Sequence, residues 1–205
     1  MSSSSPINVI LGSSSASRRL LMDELAAEQA GRISYRVVTA DIDEKAIRVD
    51  DPKDLVLKLA HAKADAILAK LTTAPLPDAR FLITCDQVVT HQGKILEKPH
   101  DAEEARRFIA GYGHAPASTI GSTVCTELTT GERREAVDVA TIHFSPIPEA
   151  TAEALIEEGE VMWCAGGLMV EHPLVEPHVV KMEGGVDCVM GLRKQTVMDL
   201  IQGFL

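Results

Sequence analysis

Residues 12–19 combine the residue types that hold an anion. Gly12 precedes three serines, and Arg18 and Arg19 follow. Small residues let backbone N–H groups approach a ligand closely, and a helix N-terminus adds unpaired donors and partial positive charge. The two arginines supply forked donors that match phosphate oxygens. The same pattern fits a serine N-cap followed by an exposed basic turn, so two interpretations stay open.

An acidic run follows the second apolar segment of the chain. Three carboxylates occupy four positions there: Asp41, Asp43 and Glu44. Charges at the end of a strand are often solvated loop residues. They are also the oxygen donors that a hard cation prefers, and Mg²⁺ needs only one or two protein carboxylates. The sequence leaves both interpretations open.

Asp86 interrupts the most apolar segment of the chain, residues 81–89, and Gln87 follows it. A buried carboxylate is costly unless it is paired, protonated or bound to a metal. An Asp inside such a segment is therefore a candidate functional residue. The alternative is that the strand ends at Cys85 and Asp86 begins a loop.

Two lysines have both a structural and a functional interpretation. A helix is predicted over residues 51–71, and Lys63 lies on its apolar stripe between Ala60 and Ile67. A lysine there either extends its ammonium to solvent or points it at an anionic ligand. Lys98 lies on the return strand of a predicted hairpin, which brings it back toward the sheet.

Strands and helices alternate along much of the chain, with a small-residue turn between the first strand and the first helix. Strands are predicted at residues 7–11, 33–38, 81–89, 95–99, 119–128, 136–144 and 168–170, the last between Gly166-Gly167 and Glu171. Helices are predicted from about Leu20 through Leu25 and at residues 51–71, 101–109, 148–158 and 194–205. No internal repeat or long linker interrupts this order, which favours one domain over residues 1–205.

The composition excludes several classes of protein. A net charge of −10 over 205 residues disfavours a duplex nucleic-acid binder. The start of the chain lacks the pattern of a secretory signal and no segment has the length of a membrane span, so we expect a cytoplasmic protein without a membrane partner. The cysteines show no C-x-x-C spacing, and His172 and His178 are interpreted as surface residues.

In combination, these motifs resemble the Maf proteins, a family of nucleoside triphosphate pyrophosphatases. The matching segments occur in the family's order: 11–15 with Arg18 and Arg19, 41–44, 59–60 with 63–64, 84–89, 97–99, 165–167 and 189–192. The resemblance implies an α/β fold like that of the inosine triphosphatases. In that fold an elongated mixed β-sheet is flanked by helices and bent into two lobes around a central cleft. It also implies a homodimer.

The resemblance further implies roles for individual residues. The catalytic residues would be Asp86, Glu44, Lys63 and Lys98, and the substrate-binding residues Ser13, Ser15, Arg18, Arg19, Gln87 and Glu171. Asp86 and Glu44 would hold a divalent cation, Mg²⁺ with Mn²⁺ as the alternative. Two departures affect the detail. Ala16-Ser17 stands where bacterial members have a single proline before the arginines, and Arg193 replaces the proline of a Gly-Leu-Pro motif.

The reaction implied is hydrolysis between the α and β phosphates of a nucleoside triphosphate, giving a monophosphate and pyrophosphate. Gln87 beside Asp86 resembles the branch associated with 7-methyl-GTP, whereas threonine accompanies the dTTP/UTP branch. The alternative is a regulator of cell division that binds a nucleotide without hydrolysing it. A phosphotransferase is disfavoured because no G-x-x-x-x-G-K-[S/T] motif occurs.

Overall fold

The computed structural model describes residues 6–205, so residues 1–5, on which part of the secretory-signal expectation rests, lie outside the described residues. The strands are β1 (Ile7–Gly12), β2 (Ile33–Val37), β3 (Phe81–His91), β4 (Lys94–Leu96), β5 (Ala117–Glu127), β6 (Arg133–Phe144) and β7 (Val179–Glu183). The helices are α1 (Ala16–Glu28), α2 (Pro52–Thr73), α3 (Ala102–Tyr112), α4 (Glu149–Glu158), α5 (Val186–Met190) and α6 (Lys194–Gln202).

The seven strands of the described chain form one mixed sheet. Its order is β2-β1-β3-β5-β6-β7, and β4 pairs with β3 beside this path. β1 runs parallel to both β2 and β3, whereas β4 and β7 run antiparallel to their neighbours. Parallel neighbours need a crossover, which α1 and α2 supply. The predicted mixed sheet with helices is confirmed.

The chain divides into two compact units. Unit 1 comprises the described residues up to Asp86 together with Ser122–Val137 and Gly191–Leu205, and unit 2 comprises Gln87–Gly121 and Asp138–Met190. The single domain over residues 1–205, the cleft and the homodimer stay predictions. No helix within residues 6–205 combines the length and the apolar character needed to cross a membrane.

Helix α2, with 22 residues, is the longest helix in the described part of unit 1. Asp51 caps it by accepting from the backbone N–H groups of Lys53 at 2.8 Å and Asp54 at 3.1 Å, and Pro52 occupies its first turn. Its buried face consists of Leu55, Val56, Leu59, Ala60, Lys63, Ala64 and Ile67. Lys63 is the one charged residue on this face, so the helix carries an ammonium into the interior.

The core of unit 2 surrounds an aromatic pair. The rings of Tyr112 and Phe144 stack with centroids 5.6 Å apart, and the Tyr112 hydroxyl donates to the carbonyl of Gly166 at 2.5 Å. The Gly166 N–H donates to the carbonyl of Glu97 at 2.8 Å. These two bonds hold Gly166 against α3 and the segment after β4.

The predicted strand at residues 168–170 is wrong. Ala165–Gly167 forms a 3-10 turn with φ of +63° at Gly166 and +59° at Gly167, and no ladder pairing follows. Met169 and Val170 instead pack in the core of unit 2, which accounts for the apolar character of this segment. Helix α5 was not predicted, α6 ends before the predicted Leu205, and β4 ends before Lys98.

Candidate active site

The serine-rich turn caps α1. Ser15 is the N-cap, and its side chain accepts from the Arg18 N–H at 3.4 Å. The Ser15 N–H in turn donates to the Ser13 hydroxyl at 3.2 Å, and the Ser13 residue is buried. The N-cap interpretation is therefore confirmed for Ser15, while anion binding by this turn stays a prediction.

The two arginines of α1 have different surroundings. Arg18 Nε donates to the Gly191 carbonyl at 2.9 Å, and its Nη1 donates to the Cys85 carbonyl at 3.3 Å and the Ser13 hydroxyl at 3.5 Å. Arg19 is exposed, because successive helical residues point about 100° apart. Arg18 thus belongs with Ser13 and the middle of β3, whereas Arg19 faces solvent.

Asp86 lies inside β3, which continues to His91, so the alternative that the strand ends at Cys85 is wrong. The side chain of Asp86 is only 10% exposed, and its Oδ1 lies 2.5 Å from Lys63 Nζ. The same ammonium lies 2.9 Å from Glu44 Oε1. Lys63 therefore does not reach out to solvent: it joins a buried carboxylate from β3 to one from the acidic run.

Burial and the neighbouring charges shift the pKa of Asp86 in opposite directions. Burial raises the pKa of the Asp86 carboxyl above its ordinary value, and the Glu44 carboxylate adds to that shift. The positive charges of Lys63 and Arg18 oppose it. A carboxylate with a raised pKa is a stronger proton acceptor than one in water, as a general base requires.

Glu44 and Asp86 are the candidate ligands of the expected divalent cation. Within residues 6–205, no three His, Cys, Asp or Glu side chains converge as a metal site. Magnesium needs only one or two protein carboxylates when phosphate oxygens and water complete its shell. Glu44 and Asp86 direct oxygens at one shared cationic group, the Lys63 ammonium. Their donor chemistry therefore suits Mg²⁺ or Mn²⁺.

Three further predicted site residues belong to unit 2. The Gln87 side chain donates through Nε2 to the Val189 carbonyl at 2.7 Å. Lys98 and Glu171 are both exposed, and their charges act on Cys164. Burial raises the pKa of the Cys164 thiol to about 11, Glu171 adds to the shift and Lys98 opposes it. Lys98 and Glu171 therefore lie near the same thiol.

Two hydroxyls that sequence reasoning missed hold α2 against the sheet. Thr84 Oγ1 donates to the Ala60 carbonyl at 2.9 Å, and Ser122 Oγ donates to the Val56 carbonyl at 2.7 Å. Both residues are buried. The role of Thr84 could have been recognised from the sequence, because a threonine two residues before Asp86 in an apolar strand lies on the same face of the strand as the carboxylate.

Comparison with known proteins supplies a family. The model of the family described as "Maf-like protein" matches residues 8–204. A 7-methyl-GTP pyrophosphatase of Dictyostelium discoideum is 37% identical over 195 residues, which cover 94% of this chain and 95% of the relative. A nucleoside triphosphate pyrophosphatase of Salinispora tropica is 32% identical, with coverage of 94% and 81%. A dTTP/UTP pyrophosphatase of a Chelativorans species is 30% identical, with coverage of 97% and 91%.

Proposed function

The chain belongs to the Maf-like protein family, and we propose that it is a nucleoside triphosphate pyrophosphatase. It hydrolyses the bond between the α and β phosphates and releases a monophosphate and pyrophosphate. The observation that carries the proposal is the buried contact of Asp86 with Lys63, beside the charge of Arg18. A carboxylate with two cations nearby is what attack of water on a polyanion requires.

The residues of unit 1 have different roles in the proposed reaction. Asp86 orients the attacking water and accepts its proton, because its carboxylate is buried in β3 beside the positive charges of Lys63 and Arg18. Lys63 and Arg18 neutralise charge on the phosphates. Ser13, Ser15 and the N-terminus of α1 add hydrogen-bond donors, and Arg19 supplies further positive charge. Gln87, Lys98 and Glu171 keep the roles that the family resemblance implies, substrate binding with a catalytic contribution from Lys98.

A divalent cation completes the proposal. Glu44 and Asp86 would hold it, Mg²⁺ first and Mn²⁺ as the alternative. When bound, such an ion supplies neutralisation of the charge on the triphosphate. The remaining chemistry belongs to the side chains named above.

We favour 7-methyl-GTP over dTTP and UTP as the substrate. The relative named 7-methyl-GTP pyrophosphatase is 37% identical, against 30% for the one named dTTP/UTP pyrophosphatase. Gln87 beside Asp86 supports the same choice. The test is a panel of triphosphates with Mg²⁺, scored for pyrophosphate. Faster turnover of dTTP or UTP would contradict the substrate, and binding without pyrophosphate release would favour a non-catalytic regulator of division.

Substitution of the arginines separates their roles. Arg18→Ala should lower kcat/KM for the triphosphate by about 10–100-fold, since it removes charge near Asp86 and leaves the Gly191 and Cys85 carbonyls without this donor. Arg19→Ala is the comparison: it removes an exposed charge that salt screens, so its contribution to substrate binding should be smaller, a loss in kcat/KM of less than about threefold. Steady-state kinetics measures both. Equal losses would contradict the division between the two residues.

Lysine 98 gives an independent test. Lys98→Ala should raise KM or lower kcat/KM for the triphosphate, because an exposed ammonium is available to a phosphate. Lys94→Ala, also exposed and at the start of β4, is the control. Kinetics of Lys98→Ala that match those of Lys94→Ala would remove Lys98 from the site.

We further propose a cytoplasmic homodimer that binds neither duplex nucleic acid nor membranes. The negative net charge supports the absence of a nucleic-acid partner. A nucleoside triphosphate substrate supports the cytoplasm as the compartment. Sedimentation analysis tests the dimer, and a monomer at micromolar concentration would contradict it.

A further inference from the structure

Two buried hydroxyl groups bind the same helix in the same way. Thr84 on β3 donates to the Ala60 carbonyl of α2, and Ser122 on β5 donates to the Val56 carbonyl one turn earlier, at 2.9 and 2.7 Å. Both bonds add a directional contact to a helix face that is otherwise apolar apart from Lys63. The two bonds differ in their distance along the helix from Lys63: Ala60 is three residues away and Val56 is seven.

Thr84 also packs against the turn that precedes α1. Gly12 pairs with Thr84 in the parallel ladder of β1 and β3. A Cβ on Gly12 would lie 2.6 Å from Thr84 Cγ2 and 2.7 Å from Ile67 Cδ1. The Thr84 methyl therefore fills the space beside Gly12, directly before Ser13, while its hydroxyl reaches α2.

The position of Thr84 in β3 connects these contacts to Asp86. Side chains two residues apart in a strand lie on the same face, so Thr84 and Asp86 both face α2. Ala60 and Ala64 are both fully buried, and their small side chains protrude too little to interlock with the strand and fix the position of α2 along it. His61 and Asp65, on either side of Lys63, bond to Arg133 and Glu135 of β6 instead. Apart from the Lys63–Asp86 contact itself, the hydrogen bond from Thr84 is the one closest to Lys63 that joins α2 to β3, the strand that carries Asp86, among the described residues.

We propose that Thr84 is a positioning residue that fixes α2 along β3 and so sets the contact between Lys63 and Asp86. Its catalytic meaning rests on the proposed function. A displacement of about 1 Å at a catalytic group costs on the order of 100-fold in rate. Loss of the hydroxyl should thus lower kcat, because Lys63 would move relative to Asp86. KM should change little, because Thr84 itself does not contact the substrate.

Three variants test the proposal. Thr84→Val keeps the size of the side chain and removes the hydroxyl, Thr84→Ser keeps the hydroxyl and removes the methyl, and Ser122→Ala removes the matched bond farther from Lys63. The measurements are kcat, KM, Tm and the rate at which an amine-acylating reagent modifies Lys63, read by peptide mass spectrometry. In the wild type Lys63 should react slowly, since its side chain is 11% exposed and paired.

We expect Thr84→Val to lower kcat by about 10–100-fold with little change in KM, and to speed modification of Lys63. Thr84→Ser should restore both values toward those of the wild type. Ser122→Ala should lower Tm as Thr84→Val does, yet leave kcat and the protection of Lys63 unchanged. A Thr84→Val protein that protects Lys63 as the wild type does overturns the proposal, as do equal losses of kcat in Thr84→Val and Ser122→Ala.

The modification of Lys63 is independent of turnover. A wild-type protein that releases no pyrophosphate from any triphosphate would contradict the proposed function alone. Faster modification of Lys63 in Thr84→Val than in Ser122→Ala would still support positioning by Thr84, and equal rates would overturn it.

Discussion

Replacement of Asp86 by asparagine should lower kcat for pyrophosphate release by about 10²–10⁴-fold, the range typical of the loss of a general base. An amide accepts no proton at neutral pH and binds a divalent cation more weakly than a carboxylate does. The change keeps the size of the side chain, so the apolar surroundings of β3 need no rearrangement. Kinetics with the best triphosphate of the panel measures the effect.

The fold should survive this substitution. The neutral amide removes a buried charge, and Lys63 keeps its contact with Glu44 at 2.9 Å. Asp78→Asn is a matched control, because Asp78 forms an exposed ion pair with Arg36. It should retain wild-type kcat. Turnover of Asp86→Asn close to that of the wild type, with an unchanged circular dichroism spectrum, would end the assignment of Asp86.

Gly166→Ala should lower the free energy of unfolding by about 2–5 kcal/mol, through backbone strain and overpacking together. Gly166 has φ of +63°, in the left-handed region. A Cβ there would lie 2.5 Å from the Tyr112 hydroxyl oxygen and 3.0 Å from Val89 Cβ. The hydroxyl would have to move away from the Gly166 carbonyl, to which it donates. Denaturant unfolding measures the loss.

Gly159→Ala separates the two causes. Gly159 also has a positive φ, of +83°, but nothing lies within 4 Å of an added Cβ. This variant should lose only the strain, about 1–2 kcal/mol. If both alanine variants lost the same free energy, the tight packing of Tyr112 around Gly166 would contribute nothing to stability.

Much of the fold follows from local patterns. The alternation of apolar runs with helical stripes predicts β1, α1, β2, α2 and β3 within a few residues, because capping residues such as Asp51 and Ser15 act over one turn. Asp86 could be identified from sequence because a carboxylate in an apolar strand needs a partner. For Lys63 the sequence left two interpretations open, extension to solvent or contact with an anionic group. Its partner Asp86 lies 23 residues away, so no local pattern could decide between them.

Long-range contacts account for what sequence did not predict. The apolar run at 168–170 has the pattern of a strand, but it follows a 3-10 turn at Ala165–Gly167 in which Gly166 bonds to the distant residues Tyr112 and Glu97. The different surroundings of Arg18 and Arg19 depend on the Gly191 carbonyl, 173 residues from Arg18. The hydroxyl bonds from Thr84 and Ser122 to α2 likewise join segments that no local pattern connects.

The bond between Arg18 and Gly191 has a consequence for the order in which the protein folds during synthesis. Unit 1 contains both β1 and α6, and α6 is synthesised long after β1. Arg18 cannot donate to Gly191, nor Lys194 to Glu24 and Glu28, until the ribosome has passed those C-terminal residues. Since the chain emerges N-terminus first and distant contacts form slowly, the serine-rich turn is synthesised well before the residues that complete its surroundings.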